Sequence, residues 1–264
     1  MAFCRSTTCR GECPTDDNGC PSAGFPLFWA RTCIGYSLQK NGTQSLDSND
    51  VRVAIRKAFQ AWSDVPCPHA KNNYASMAFS ELEAVSCDKS QYNSGGPNVN
   101  VVLFRDDDWT YRGIDGTLAK TSVTYDDRTG EIFDADIEVN AAMNDLTVSD
   151  SKISYDLQAI VTHEVGHFIG MAHSSDANAS MYASYAPGTI GPRHVTEDDV
   201  SGVCGVYPPG REGACDPSPR GGLGPNCDAP ANGGCSLGRY PLGRDAGAFA
   251  ALVALALVAR RRRR

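Results

Sequence analysis

The chemistry of this chain is concentrated in eleven residues, HEVGHFIGMAH at 163–173, which hold three histidines and one glutamate. His163 and His167 stand four apart, so on a helix they lie one turn above each other and can aim two imidazole nitrogens at one point. That is half of a zinc site. Glu164 is offset around the helix, within reach of a water on the metal without being a ligand, which suits it to act as general base. If the helix ran on, His173 would lie about 9 Å further along the axis than His167, too far to share the metal. The helix therefore has to stop. Gly170 is the residue between them that readily takes a left-handed conformation, so a helix ending there lets the chain turn back and bring His173 to the third position. Three nitrogen ligands leave one position for water, the arrangement of a catalytic rather than a structural Zn2+.

The competing reading is an ordinary helix that happens to carry surface or core histidines. The full pattern fixes five positions, and a chance match in a chain of this size is on the order of one in 100,000 at ordinary residue frequencies. Three of the chain's five histidines stand in it.

Other elements must hold this helix in place, and the 264 residues allow one sizeable domain with appendages. FWARTCIGYSL at 28–38 reads as a first strand, with Asn41 and Gly42 marking a turn. DVRVAIRKAFQAW at 50–62 has apolar residues at 51, 55, 58, 59 and 62, the period of an amphipathic helix capped by Asn49 or Asp50. YASMAFSEL and NVNVVLFRD read as two strands, the second an almost unbroken apolar run suited to the middle of a sheet. TLAKTSVTYDDRTGEIFDADIEV at 117–139 predicts a hairpin turning at Asp127 to Gly130, and ISYDLQAIVTHEVGHF the helix that presents two ligands. The fold class is α+β: a twisted mixed sheet packed on two long helices, with a small irregular subdomain after Gly170.

The histidine pattern followed by SMYASY, which puts Met181 eight residues after His173, resembles the metzincin clan of zinc endopeptidases, with its HExxHxxGxxH signature and methionine turn. The resemblance implies that Met181 lies beneath the zinc. Within the clan the chain is most similar to the matrixins, through Ser174 after the third histidine, Tyr182 after the methionine, and VTEDDVSGVCGVYP at 195–208 as a closing helix. Ala183 stands where astacins and serralysins carry a zinc-binding tyrosine. The likeness covers residues 25–208 and implies a zincin-like catalytic domain that cleaves proteins or peptides. It also implies that the segment Thr117 to Thr121 is an edge strand receiving substrate by β-augmentation, with Leu118, Ala119 and Tyr182 as substrate contacts. An ordinary strand is the alternative there.

The matrixin pattern is incomplete. Lys120 and Ile132 stand where the family has histidines for a second, structural zinc, so that site is expected to be missing. Asp134, Asp136 and Glu138 alternate along a predicted strand, which suits either an oxygen-rich Ca2+ site or a solvated acidic face. Thr196 and Asp199 have capping-box spacing. The resemblance offers Asp199 a second role, holding a freed N-terminal ammonium.

Eleven cysteines point to an exported, oxidised chain. Cys4, Cys9, Cys13 and Cys20 crowd a Cys-rich N-terminal segment, 1–24, expected to be a disulfide-stapled knot; a thiolate from it on the zinc is the alternative. Cys67 and Cys87 flank one predicted strand and are candidates to pair. MAFCRSTTCRGEC has no apolar h-region, so a signal peptide is expected upstream of Met1.

After the catalytic domain, 209–235 reads as a Gly/Pro-rich linker and 236–264 as a sorting or anchor segment. Its apolar run AGAFAALVALALVA, followed by five arginines, is about 21 Å long as a helix against about 30 Å of hydrocarbon. It spans only if Leu242 and Gly243 join in. A basic cluster after it sets a cytoplasmic C-terminus. The arrangement resembles the C-terminal sorting signal of myxobacterial surface proteins, with processing near Cys235; a plain anchor is the alternative.

Taking the five terminal arginines from 24 Lys+Arg leaves 19 against 31 Asp+Glu, a net charge of about −12. Such a domain repels nucleic acid and anionic membranes, and no nucleic-acid motif is present. The expectation is a monomeric, exported or cell-surface zinc endopeptidase acting on protein or peptide substrates, touching membrane only through its tail. The rival is a zinc-binding surface adhesion module without catalysis.

Overall fold

The computed structural model describes residues 3–68, 74–111 and 117–227. In chain order the elements are β1 (Cys4–Arg5), β2 (Cys33–Leu38), α1 (Ser48–Ser63), β3 (Ala78–Glu81), β4 (Val101–Arg105), β5 (Ala119–Tyr125), β6 (Ile132–Asn140), β7 (Leu146–Thr147), β8 (Tyr155–Asp156), α2 (Leu157–Phe168), β9 (Met171–Ala172) and α3 (Glu197–Val206). A 3-10 turn at Gly191–Arg193 precedes α3.

Five strands form one mixed sheet in the order β3-β2-β4-β6-β5, in which only β5 runs antiparallel to its neighbour, leaving it an edge strand. Side chains alternate across the pleat. Val102 and Phe104 of β4 and Ala135, Ile137 and Val139 of β6 enter the main core, where α1 contributes Ile55, Ala58, Phe59 and Trp62, and α2 contributes Val161, Val165 and Phe168. This is the α+β arrangement expected. Helix α1 is capped by Asp47, whose carboxylate accepts the N–H groups of Asn49 and Asp50, rather than by Asn49 or Asp50 themselves. Asp50 instead supplies a negative charge to the first turn, where the helix dipole favours it.

The opposite face of the sheet carries a second apolar cluster: Val85, Cys87, Val99, Val101 and Leu103, joined by Leu223 and Cys227. The alternating acids of β6 point into this layer and are not a solvated face: Asp134, Asp136 and Glu138 are 3%, 1% and 0% exposed. Glu138 is held by Arg105 and by the Tyr111 hydroxyl. Asp136 accepts the N–H groups of Val101 and Gln91, whereas Asp134 Oδ1 has no hydrogen-bond partner.

Burial, reinforced by the neighbouring Asp136, pushes the Asp134 carboxyl above the usual carboxylate range. Burial pushes Asp136 up too, against the opposing pull of its backbone N–H partners. A carboxyl whose pKa is raised on folding holds a proton that the unfolded chain has lost, so its stabilisation is complete at low pH and disappears as pH rises through the folded pKa. Asp134→Asn, a neutral isostere, is therefore expected to gain stability over the wild type at mildly alkaline pH and to lose that advantage in acid. Parallel melting-temperature curves against pH for the two proteins would contradict this.

The described parts of the segments read as an N-terminal appendage and a linker, 3–24 and 209–227, are built into this unit. Residue pairs Cys4–Cys20 and Cys9–Cys13 staple the N-terminal segment, and β1 pairs antiparallel with β9. All four N-terminal cysteines are thereby oxidised, which excludes a zinc thiolate from them. Residues 213–224 lie against the sheet: Thr32 N–H donates to Ala214 O, Asn98 N–H to Gly222 O, and a methyl group on Gly35 would strike Pro217 O. Two more bridges, Cys33–Cys215 and Cys87–Cys227, fasten this strap.

Cys67 pairs with Cys204 of α3, not with Cys87. The two candidates lie on opposite faces of the sheet, Cys67 in the main core and Cys87 in the outer cluster. Cys235 and the C-terminal apolar run with its arginines lie outside the described residues. Among the described residues no helix is long and apolar enough to cross a membrane.

Candidate metal centre and active site

Helix α2 begins at Asp156, whose buried carboxylate accepts Ala159 N–H and a forked pair of bonds from Arg193, Nε to Oδ1 at 2.8 Å and Nη2 to Oδ2 at 2.6 Å. At its other end the carbonyls that lack intrahelical donors find side chains: Trp29 Nε1 donates to Phe168 O and the Tyr207 hydroxyl to Ile169 O, each at 2.8 Å. The chain then turns at Gly170, φ +89°, where a Cβ would stand 2.5 Å from Leu27 O. Strand β9 follows, braced by β1, and delivers His173.

The three histidines converge. Their ligand nitrogens all lie within 4.8 Å of one another, and among the described residues they are the one group of three or more such side chains gathered this way. His167 Nε2 and His173 Nε2 are 3.2 Å apart. Two nitrogens at zinc-bonding distance on a tetrahedral ion would be separated by about 3.3 Å.

The ring orientations are fixed from behind. His163 Nδ1 is 2.6 Å from Ser180 O, and His167 Nδ1 is 2.9 Å from Met171 O. A carbonyl oxygen only accepts, so Nδ1 carries the proton in both rings and Nε2 keeps a free lone pair. Burial, first, and the neighbouring histidines lower the pKa of His163 and His173 to about 4 and that of His167 as well. Neutral imidazoles converging on one point form a donor set that fits zinc.

Support continues below the ligands. Asp199, 0% exposed, accepts the N–H groups of Ser180, Met181 and Thr196 and the Thr196 hydroxyl. It holds both the carbonyl that orients His163 and the methionine turn, and these four donors occupy both carboxylate oxygens. Met181 is buried under α2, where a methyl group on Gly166 would run into its sulfur. Ser174 N–H donates to Met181 O at 2.8 Å, tying the turn to the residue after the third histidine.

Glu164 is 6% exposed, and burial pushes its carboxyl pKa up. Its Oε2 is 2.6 Å from the Thr121 hydroxyl on β5. Ala119 begins the same edge strand and Leu118 immediately precedes it; Tyr182, beside the methionine, is 36% exposed.

Three contributors escaped the sequence reading. Gly166 left a signal, since a glycine inside a helix costs about 1 kcal/mol against alanine and invites a packing reason. Asp199 was legible as a cap but not as an anchor for residues 180 and 181. The contact between Thr121 and Glu164 had no local signature.

A family model described as Matrixin matches residues 28–208. The chain belongs to the matrixin family. Among its relatives are metalloendoproteinase 1-MMP of Arabidopsis thaliana, 29% identical over 184 residues (69% of this chain, 44% of the relative), and neutrophil collagenase of Homo sapiens, 26% identical over 203 residues (75% and 37%). Metalloendoproteinase 1 of Glycine max is 30% identical over 156 residues, 59% of this chain and 45% of the relative. The chain thus spans less than half the length of these relatives. Matrixins bind zinc, and the triad of this matrixin domain suits it.

Proposed function

We propose that this matrixin is a zinc-dependent endopeptidase, and the observation that carries the reading is the convergent neutral triad with the buried Glu164 carboxyl beside it. Zinc, when bound by His163, His167 and His173, supplies Lewis-acid chemistry: it acidifies a water and steadies negative charge on the scissile carbonyl oxygen. Glu164 takes the proton of the attacking water and delivers it to the leaving amine. Met181 and Asp199 keep the ligand set in place, acting only through the histidines.

An extended peptide lies along Leu118 and the free edge of β5 from Ala119 on, held by backbone hydrogen bonds, with Tyr182 on its other side. The loop 183–195 walls the pocket for the residue after the scissile bond, anchored by Arg193 on Asp156 and by Tyr185, whose hydroxyl accepts Asp156 N–H. Five disulfides support an oxidising, extracellular or cell-surface setting.

The test is hydrolysis of a quenched-fluorescent peptide library by the full oxidised chain, with zinc content measured on the same sample. Cleavage is expected to stop when a chelator strips the metal and to return when zinc is restored. One equivalent of zinc with no peptide cleaved would instead favour a binding module.

A further inference from the structure

We propose that Thr121 is the positioning residue for Glu164, fixing which carboxylate oxygen handles the catalytic proton; this rests on Glu164 being the general base. Thr121 Oγ1 lies 2.6 Å from Glu164 Oε2 and 3.1 Å from Glu164 O. While Glu164 is ionised, both neighbours can only accept, so the hydroxyl donates. The shorter contact, to the charged oxygen, has the length of a charge-assisted O–H···O bond. Oε2 is thereby engaged on the β5 side, and Oε1 is left to face the reacting atoms.

The proton balance follows from that division. As the attacking water forms its bond to the scissile carbon, its O–H bond breaks and the proton goes to Oε1. The C–N bond then breaks and the Oε1 proton passes to the leaving nitrogen. Thr121 keeps its own proton throughout, still bonded to Oε2. Without that bond the carboxyl keeps only the smaller hold of the Thr121 backbone on this side, so it rotates more freely and the base spends part of its time misaligned. Such misalignment slows the chemical step rather than peptide binding.

Thr121→Val keeps the shape and the strand propensity while removing the donor. It is expected to lower kcat by about 10- to 100-fold, the range for a lost hydrogen bond to a charged group. KM should shift by less than about threefold if only the chemical step is affected. Zinc affinity, read by competition with a chromogenic chelator, should not change. Thr121→Ser restores the hydroxyl and should return kcat to within about threefold of wild type. Thr121→Ala removes the same donor and carries the test if the valine variant folds poorly.

Glu164→Gln is measured alongside. An inactive Glu164→Gln with Thr121→Val at wild-type kcat overturns the role of Thr121 and leaves the base intact. A fully active Glu164→Gln overturns the base and the Thr121 proposal with it. A loss of kcat that serine fails to rescue, or that zinc affinity follows, would show Thr121 to be packing only.

Discussion

Glu164→Ala should retain one equivalent of zinc and lose nearly all turnover. General acid–base catalysis is worth on the order of 10²- to 10⁴-fold, and here the same carboxyl is asked to act in both proton transfers, which puts the expected loss in kcat at the upper end. Metal binding should survive because His163, His167 and His173 do not depend on Glu164: two of the rings are oriented by Ser180 O and Met171 O. Folding should survive too, since alanine is the best helix former and the removed group is a buried carboxyl whose charged form is disfavoured by burial. The check is kcat and metal content on one preparation. Activity within threefold of wild type would remove Glu164 from the mechanism.

The second large effect is expected at Asp199, whose carboxylate bonds to Ser180, Met181 and Thr196 rather than to a histidine of the triad. Its replacement by alanine strands the backbone N–H groups of Ser180 and Met181 in a buried site and takes the partner from that of Thr196, which is half-buried. Buried donors left unpaired cost about 1–3 kcal/mol each, so the variant should lose about 3–5 kcal/mol once the site relaxes. For a unit of this size that lowers the melting temperature by roughly 6–20 °C. Zinc affinity should fall with it, because Ser180 O orients His163. Asp199→Asn, which keeps one acceptor oxygen, should fall between the two. A melting temperature within 2 °C of wild type for Asp199→Ala would show that the anchor is dispensable.

What was legible in the sequence was local. The i, i+4 histidines and Gly170 define a helix, its end and a return within eleven residues, and the structure has that shape. The periodicities of β4, the β5–β6 hairpin, α1 and α2 were readable because each reflects one buried face. What was not legible depended on the other side of each element. The acids of β6 were visible as one face of a strand, but nothing in their spacing says that a non-periodic layer covers them. Residues 209–227 have the Gly, Pro and Asp content of a free linker; what holds them is a set of contacts and two cysteines whose partners lie 182 and 140 residues away. Separation in sequence, by 137 and 43 residues, likewise hid Cys67–Cys204 and the Thr121 contact to Glu164.

That long-range bridging has a consequence for the proposed protease activity, which would expose the chain to cutting by its own copies. Cys33–Cys215 closes most of the chain into a covalent ring, and Cys67–Cys204 and Cys87–Cys227 add further closures across it. One peptide bond cut anywhere between Cys33 and Cys215 therefore opens a loop without releasing a fragment. Both pieces stay joined, the zinc helix keeps its neighbours, and damage by self-digestion becomes a change of connectivity rather than the loss of a part. Durability of this kind owes nothing to how tightly the core is packed; it comes from where the ring is closed.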